Sequence, residues 1–334
     1  MPADTLAIDI GGTRTRIAIV RDGRIGRRWE GPTADLAAPR RGVADGLVRA
    51  ALALAEEDGQ SPIGAVGVGL AAAVDGSGSV LQPRDFGIPA GPLLRDAIAS
   101  AMGVPVVVDN DANLAAVAEH RRGAARDCAN VAVMTLGTNI GVGLILEGRL
   151  HRGAHGAAGE AGLLLIPVDA TDARSGTRPI VDGGPLGRGP TSAPAGYAWI
   201  EDLVGGGALA TAAGTAGASG AEGSRLRVFG VGGAADPLIQ QLVSRALEGW
   251  ALIVADLSVV LDLEAVVLTG GMAQDAAHLL GALQRRVAEL VAIAPEIRLG
   301  SLGPDAELLG ADLLAHAAID PPAANHARAG LSAQ

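Results

Sequence analysis

Leu6-Ala7-Ile8-Asp9-Ile10-Gly11-Gly12-Thr13 is an apolar run cut short by two glycines, and Arg16 to Val20 resume a strand pattern beyond it. The run, its punctuation and its continuation predict a β-hairpin, and Asp22-Gly23 predict a further turn. The pattern returns at Val131-Ala132-Val133-Met134-Thr135-Leu136. Gly137-Thr138 and Gly141 follow, then Val142 to Leu146 and the turn Glu147-Gly148. An approximate internal repeat therefore organises the chain.

Alternating elements follow each hairpin. The first is followed by predicted helices near 43–57 and 92–102, strands near 64–69 and 104–108, and a helix from 112. The second is followed by helices near 199–212, 237–261, 275–291 and 306–318, with strands near 265–268 and 297–300. A doubly wound single sheet is the simpler alternative. Two copies of a meander followed by βαβα favour an α/β protein of two similar domains with a cleft between them. The expected division is a small domain over 1–113, completed by the C-terminal helix near 306–320, and a large domain over 114–305. Residues 167–198, rich in Gly, Pro and Ser, read as a long loop in the large domain, and 212–224 as a second connection. Residues 321–334 read as a disordered tail.

Composition narrows the function. A net charge of −10 argues against nucleic-acid binding, which needs clustered cations. Lys is absent, which excludes a Walker loop. Cys128 is the only cysteine, so neither a disulfide framework nor a multi-cysteine zinc cluster is available. No basic and apolar leader precedes Asp4, and Trp250 to Leu268 is interrupted by Asp256, Asp262 and Glu264. A cytoplasmic protein without a membrane span is expected.

Three stretches carry chemistry. Asp9-Ile10-Gly11-Gly12-Thr13, with Arg14 beside it, joins a strand-end carboxylate to a turn whose backbone amides can approach a phosphate closely. Asp9 there suits a hydrated Mg²⁺ bridging phosphate oxygens. Gly137-Thr138 repeats the turn, and Thr269-Gly270-Gly271-Met272 lies where a strand passes into a helix, a site for the ribose or base of a nucleotide. Val106-Val107-Val108-Asp109-Asn110-Asp111-Ala112-Asn113 delivers two carboxylates and two amides to a helix start. An N-cap accounts for Asp109 or Asp111 but not for the set. A carboxylate there suits removal of a proton from a hydroxyl attacking a γ-phosphate, with Asn110 orienting the acceptor.

Together these stretches resemble the ROK family of sugar kinases and repressors. Gly159-Glu160-Ala161-Gly162, Ile200-Glu201 and Leu308-Leu309-Gly310-Ala311 extend the resemblance in family order across nearly the whole chain. It implies two actin-like (ribonuclease H-like) domains and transfer of phosphate from ATP with Mg²⁺ to a hexose or amino-sugar hydroxyl, usually at C6, with glucose or a glucose-like sugar the expected acceptor. It also implies Asp111 as general base, Asn110, Glu160, Glu201 and Gly69 as sugar contacts, and a homodimer. A sugar-sensing regulator is the alternative; the first hairpin begins too early to leave room for a DNA-binding segment before it.

The chain departs from the family pattern in two places. Leu163 stands where the family has a histidine, and the zinc-binding cysteines that normally follow are missing, so no structural zinc is expected. His151 and His155 read as polar loop residues. Gly69-Leu70-Ala71-Ala72-Ala73-Val74-Asp75 lacks the usual Gly-Pro-Gly. Tyr197, Trp199 or polar groups of the loop are the expected compensation on the sugar edge that Leu163 cannot hydrogen-bond.

Overall fold

Asp4–Ile10 (β1), Arg14–Arg21 (β2) and Arg24–Pro32 (β3) make an antiparallel meander, and Ile63–Leu70 (β4) and Val106–Asn110 (β5) join β1 in parallel. The sheet order is β3-β2-β1-β4-β5. Val131–Leu136 (β6), Ile140–Leu146 (β7) and Arg149–Leu150 (β8) repeat the meander; after the separate pair Leu165–Pro167 (β9) and Tyr197–Trp199 (β10), Ala265–Thr269 (β11) joins β6 in parallel and Glu296–Leu299 (β12) joins β11. That order, β12-β11-β6-β7-β8, is the same topology again. The second turn of each meander uses the same device. Asp22 and Gly23 have φ of 49° and 70°, Glu147 and Gly148 of 53° and 71°, the successive left-handed pair that matches the twist of a tight hairpin.

The computed structural model describes residues 3–36, 42–59, 62–81, 88, 91–167, 193–194, 197–214, 228–229 and 236–319. Most of the expected loop over 167–198, most of the connection over 212–224 and the tail over 321–334 lie outside the described residues. Among those residues no helix is long and apolar enough to cross a membrane.

Each sheet has one broad apolar face. Leu6, Ile8, Ile10, Ile17 and Ile19 alternate to one side of the first sheet and are covered by Leu47 of the helix Gly42–Asp58 and by Leu94 and Ile98 of the helix Leu93–Met102. Met134, Leu136 and Leu268 of the second sheet meet Trp250 and Val254 of the helix Pro237–Leu261. With few aromatics available, Trp250 is the largest fully buried side chain, and it stacks on Phe229 with ring centroids 5.5 Å apart.

The opposite faces are lined by small residues and receive two helices that exchange sides. Asp111–Arg122 (here αA) continues from β5 yet packs on β6 and β7; Ala306–Ile319 (αB) follows β12 yet packs on β1, β4 and β5. A Cβ at Gly143 would overlap Ala112 O, one at Gly67 would overlap Ala311 O, and one at Gly310 would overlap Leu114 O. Glycine at these points lets αA and αB lie directly against the sheets and each other. Residue 113, the expected boundary, lies inside αA.

Two predicted helices are interrupted. In place of one helix over 199–212 the structure has a strand, Tyr197–Trp199, paired with Leu165–Pro167, then the helices Glu201–Val204 and Gly206–Gly214. Gly205 is extended between them, so that Gly206 and Gly207 donate to Gly137 O at 3.0 Å and Thr138 O at 2.9 Å. The helix start is thereby pinned to the second glycine turn. The predicted helix over 275–291 is likewise a short helix Gly271–Asp275, a 3-10 turn and the helix Leu280–Leu290.

Candidate active site

The ends of β1, β5, β6 and β11 converge on a cavity of about 220 Å³. Gly11 and Gly12 line it from the first turn, Gly137 and Thr138 from the second, and Gly270 and Gly271 from the turn after β11. Asn110, Asp111 and Glu160 line it as well. Nine of the residues expected to bind or react thus meet in one space, although they come from both sheets.

The turns are held by hydrogen bonds from their surroundings. Gly11 N donates to Arg14 O at 3.0 Å, and Thr33 Oγ1 donates to Gly11 O at 2.7 Å. Gly137 N donates to Asn139 O at 3.1 Å. Gly270 has φ 90°, and a Cβ there would lie 2.7 Å from Leu136 O, which makes glycine obligatory on both counts.

The Asp109–Asn113 set divides into separate tasks. The helix cap is Asn110, not either aspartate: its Oδ1 accepts from Ala112 N at 2.9 Å and Asn113 N at 3.2 Å, while its Nδ2 donates to Ala72 O at 3.1 Å. An Asn cap leaves the following carboxylate to face the cavity. Asp111 does so from the first position of αA, at the positive end of the helix dipole, with Oδ1 accepting from Ala112 N at 2.8 Å. Asp109 is buried and ion-paired with Arg152.

Other expected residues stand back from the cavity wall. Asp9 is buried behind the first turn, and Arg16, opposite it across the strands, donates to its Oδ2 at 3.1 and 2.7 Å. Thr13 is exposed, and Arg14 turns outward to pair with Glu30 at 2.7 Å. Gly69 lies within the sheet between Asp9 and Asp109, where a Cβ would come 2.7 Å from Leu114 Cδ1; it is a close-packing position off the cavity. Glu201 stands beside Gly162, with Oε2 2.8 Å from where a Cβ of that glycine would be. Leu163 is half-buried and Tyr197 exposed, and neither lines the cavity. Cys128 is buried, and His151 and His155 are exposed.

Sequence reading missed Glu307. It precedes the Leu308-Leu309-Gly310-Ala311 stretch on αB, and a lone acid at a helix start ordinarily reads as a solvated cap. Here it lines the cavity and accepts from Arg16 at 3.1 Å, while Arg16 also donates to Pro304 O. Burial, then the charge of Asp9, against the opposing pull of Arg16, pushes Glu307 up to about 7, with Asp111 adding to the rise. Burial also raises Asp9, with Arg16 opposing.

For an acid whose folded pKa lies above its unfolded value, the folded state holds the proton longer. The contribution of Glu307 to stability is therefore present below its ordinary value of 4.5 and lost as pH rises through about 7. In metal-free protein, urea midpoints are expected to fall between about pH 5 and pH 8, and Glu307→Gln is expected to flatten that slope. An identical slope in the Gln variant would refute the assignment.

The ROK family model matches residues 5–318 of this chain. The bifunctional enzyme NanE/NanK of Brucella melitensis is 31% identical over 93% of this chain and 54% of its own length. The chain thus spans about half the length of that relative. The N-acetylmannosamine kinase of Haemophilus influenzae is 28% identical, with 92% of this chain and 93% of that protein covered. Among solved structures, the Streptomyces griseus glucokinase in complex with glucose and AMPPNP is 27% identical. It superposes with a TM-score of 0.73 over 93% of this chain and 99% of that one.

Proposed function

The chain belongs to the ROK family, and on that premise we propose that it is an ATP-dependent sugar kinase that phosphorylates a hexose or amino sugar, with Asp111 as general base. The observation that carries the reading is the convergence of both glycine turns, Asp111 and Glu160 on one cavity. Similarity to a glucokinase and to N-acetylmannosamine kinases supports the reaction class and leaves both sugar classes as candidates. We read residues 1–113 with the helix near 306–320 as one domain and 114–305 as the other, closing on the substrates from either side.

In this reading the backbone N–H groups of Gly12 and Thr138 face the phosphates, Gly11 and Gly137, whose own N–H groups close the turns, let the phosphates approach the backbone, and Gly270 and Gly271 accommodate the nucleoside. Asn110 has one Nδ2 hydrogen engaged with Ala72 O and a second for a sugar hydroxyl. Glu160 meets the sugar from the opposite wall, with Glu201 behind it. The sugar oxygen attacks the γ-phosphorus as Asp111 takes its proton; a new P–O bond forms, the bond to the β-phosphate oxygen breaks, and ADP leaves.

The buried carboxylate of Asp9 and the partly covered one of Glu307, with Asp111 near, share one guanidinium, and this cluster of acids fits a divalent cation. Among the described residues no three acids or histidines group closely enough to ligate one directly, so Asp9 would hold Mg²⁺ through water. When bound, Mg²⁺ would supply charge neutralisation at the phosphates.

A coupled ADP-release assay over glucose, mannose, fructose, glucosamine, kanosamine and N-acetylated hexosamines tests the function. Sugar-dependent turnover with at least one is expected. Binding of a sugar without turnover of any would instead favour the regulatory reading.

A further inference from the structure

Asp109 precedes the proposed base by two residues and is only 3% exposed, yet it takes no place on the cavity wall. It is held by protein donors on both oxygens. Oδ1 accepts from Asn110 N and from Asn113 Nδ2, both at 2.8 Å, and Oδ2 accepts from Arg152 Nε at 2.8 Å and from its terminal nitrogen at 2.6 Å. The pair links the two halves, because Asp109 belongs to β5 of the first sheet and Arg152 lies two residues beyond β8 of the second.

From Arg152 the chain makes a compact loop to Glu160. Ala158 N donates to Arg152 O at 3.2 Å, and Gly153, Gly156 and Gly159 all have positive φ. The loop has little freedom: a Cβ at Gly156 would overlap Val74 O of the first half, and one at Gly159 would overlap Val142 O of the second. Gly156, Ala158, Gly159 and Glu160 line the same cavity as Asn110 and Asp111. One ion pair therefore links the base of the Glu160 loop to the strand end that presents Asp111.

An ion pair with one buried and one partly exposed partner is weak evidence for stability. Its directional geometry is the distinctive contribution. Two N–H groups of one planar guanidinium fix an angle as well as a distance, which a lysine ammonium would not.

We propose that Arg152 is a positioning residue: through Asp109 it fixes the Glu160 loop relative to Asp111 and so sets the affinity for the sugar. The effect on sugar rests on the kinase reading above; the effect on the loop does not. The test compares wild type, Arg152→Lys and the charge-neutral double variant Asp109→Asn/Arg152→Gln, using the full chain. In the double variant the sugar KM is expected to rise by about tenfold to a hundredfold, the scale of an ångström-sized misplacement, with ATP KM unchanged. Arg152→Lys is expected to fall between. Hydrogen exchange, measured without substrates, is expected to quicken across residues 151–160 in the double variant.

A wild-type sugar KM in the double variant, or unchanged exchange across the loop, overturns the proposal. If the double variant does not fold, Arg152→Lys decides on the same two readouts. Absence of turnover in wild type would sink the kinase reading, and the exchange experiment would then judge the loop alone.

Discussion

Asp111→Asn is expected to lower kcat by about 10²–10⁴-fold, the usual contribution of a positioned general base, while leaving the sugar KM close to wild type. The substitution is nearly isosteric. An Asn oxygen can still accept from Ala112 N, as Oδ1 of Asp111 does at 2.8 Å, and the cap belongs to Asn110. The helix start should therefore persist. What is lost is an oxygen able to take a proton from the attacking hydroxyl. ADP release under saturating sugar and ATP measures kcat, and calorimetry with the sugar alone measures binding. Full turnover in the Asn variant would remove Asp111 from the mechanism; lost binding would make it a sugar ligand more than a base.

Glu119→Ala is expected to cost about 3 kcal/mol, because three part-buried backbone donors would lose their acceptor at once, at about 1 kcal/mol each. Glu119 is fully buried on αA and accepts from Ala124 N at 2.8 Å, Ser301 N at 3.2 Å and Leu302 N at 3.1 Å. Its carboxylate fits where side chains are missing: a Cβ at Gly123 would overlap Oε2, and one at Gly300 would lie 2.7 Å from Oε1. The segment it grips leads straight to Pro304 and Glu307, both acceptors of Arg16. Glu119→Gln, which keeps one acceptor oxygen, should lose less. A lower urea midpoint at constant slope would show the effect, and an unchanged midpoint in the Ala variant would refute it.

The repeat was legible because glycine turns and apolar runs of strand length are local signals, and the two meanders supply them in the same order. The Asp109–Asn113 set was legible as a polar strand-to-helix junction for the same reason. Its division of labour was not, since whether Asn110 or an aspartate caps αA depends on side-chain rotamers, and the occupation of Asp109 depends on Arg152, 43 residues away. Arg16, Glu119 and Glu307 escaped notice because a charged residue in a strand or helix ordinarily faces water. Only the contact of αB with β2, across about 300 residues of chain, makes Arg16 and Glu307 neighbours. The break at Gly205 is likewise set by a distant acceptor, Gly137 O, and not by local propensity.

The exchange of αA and αB has a consequence for biosynthesis. Ala7, Ala18 and Val20 are buried against Leu308 and Ala311, which belong to the last described helix. While the chain is still emerging from the ribosome, the first sheet must wait with that face uncovered until αB arrives. The N-terminal half is thus expected to be vulnerable to aggregation during synthesis, and nascent chains halted before residue 306 should bind a chaperone that the finished chain releases.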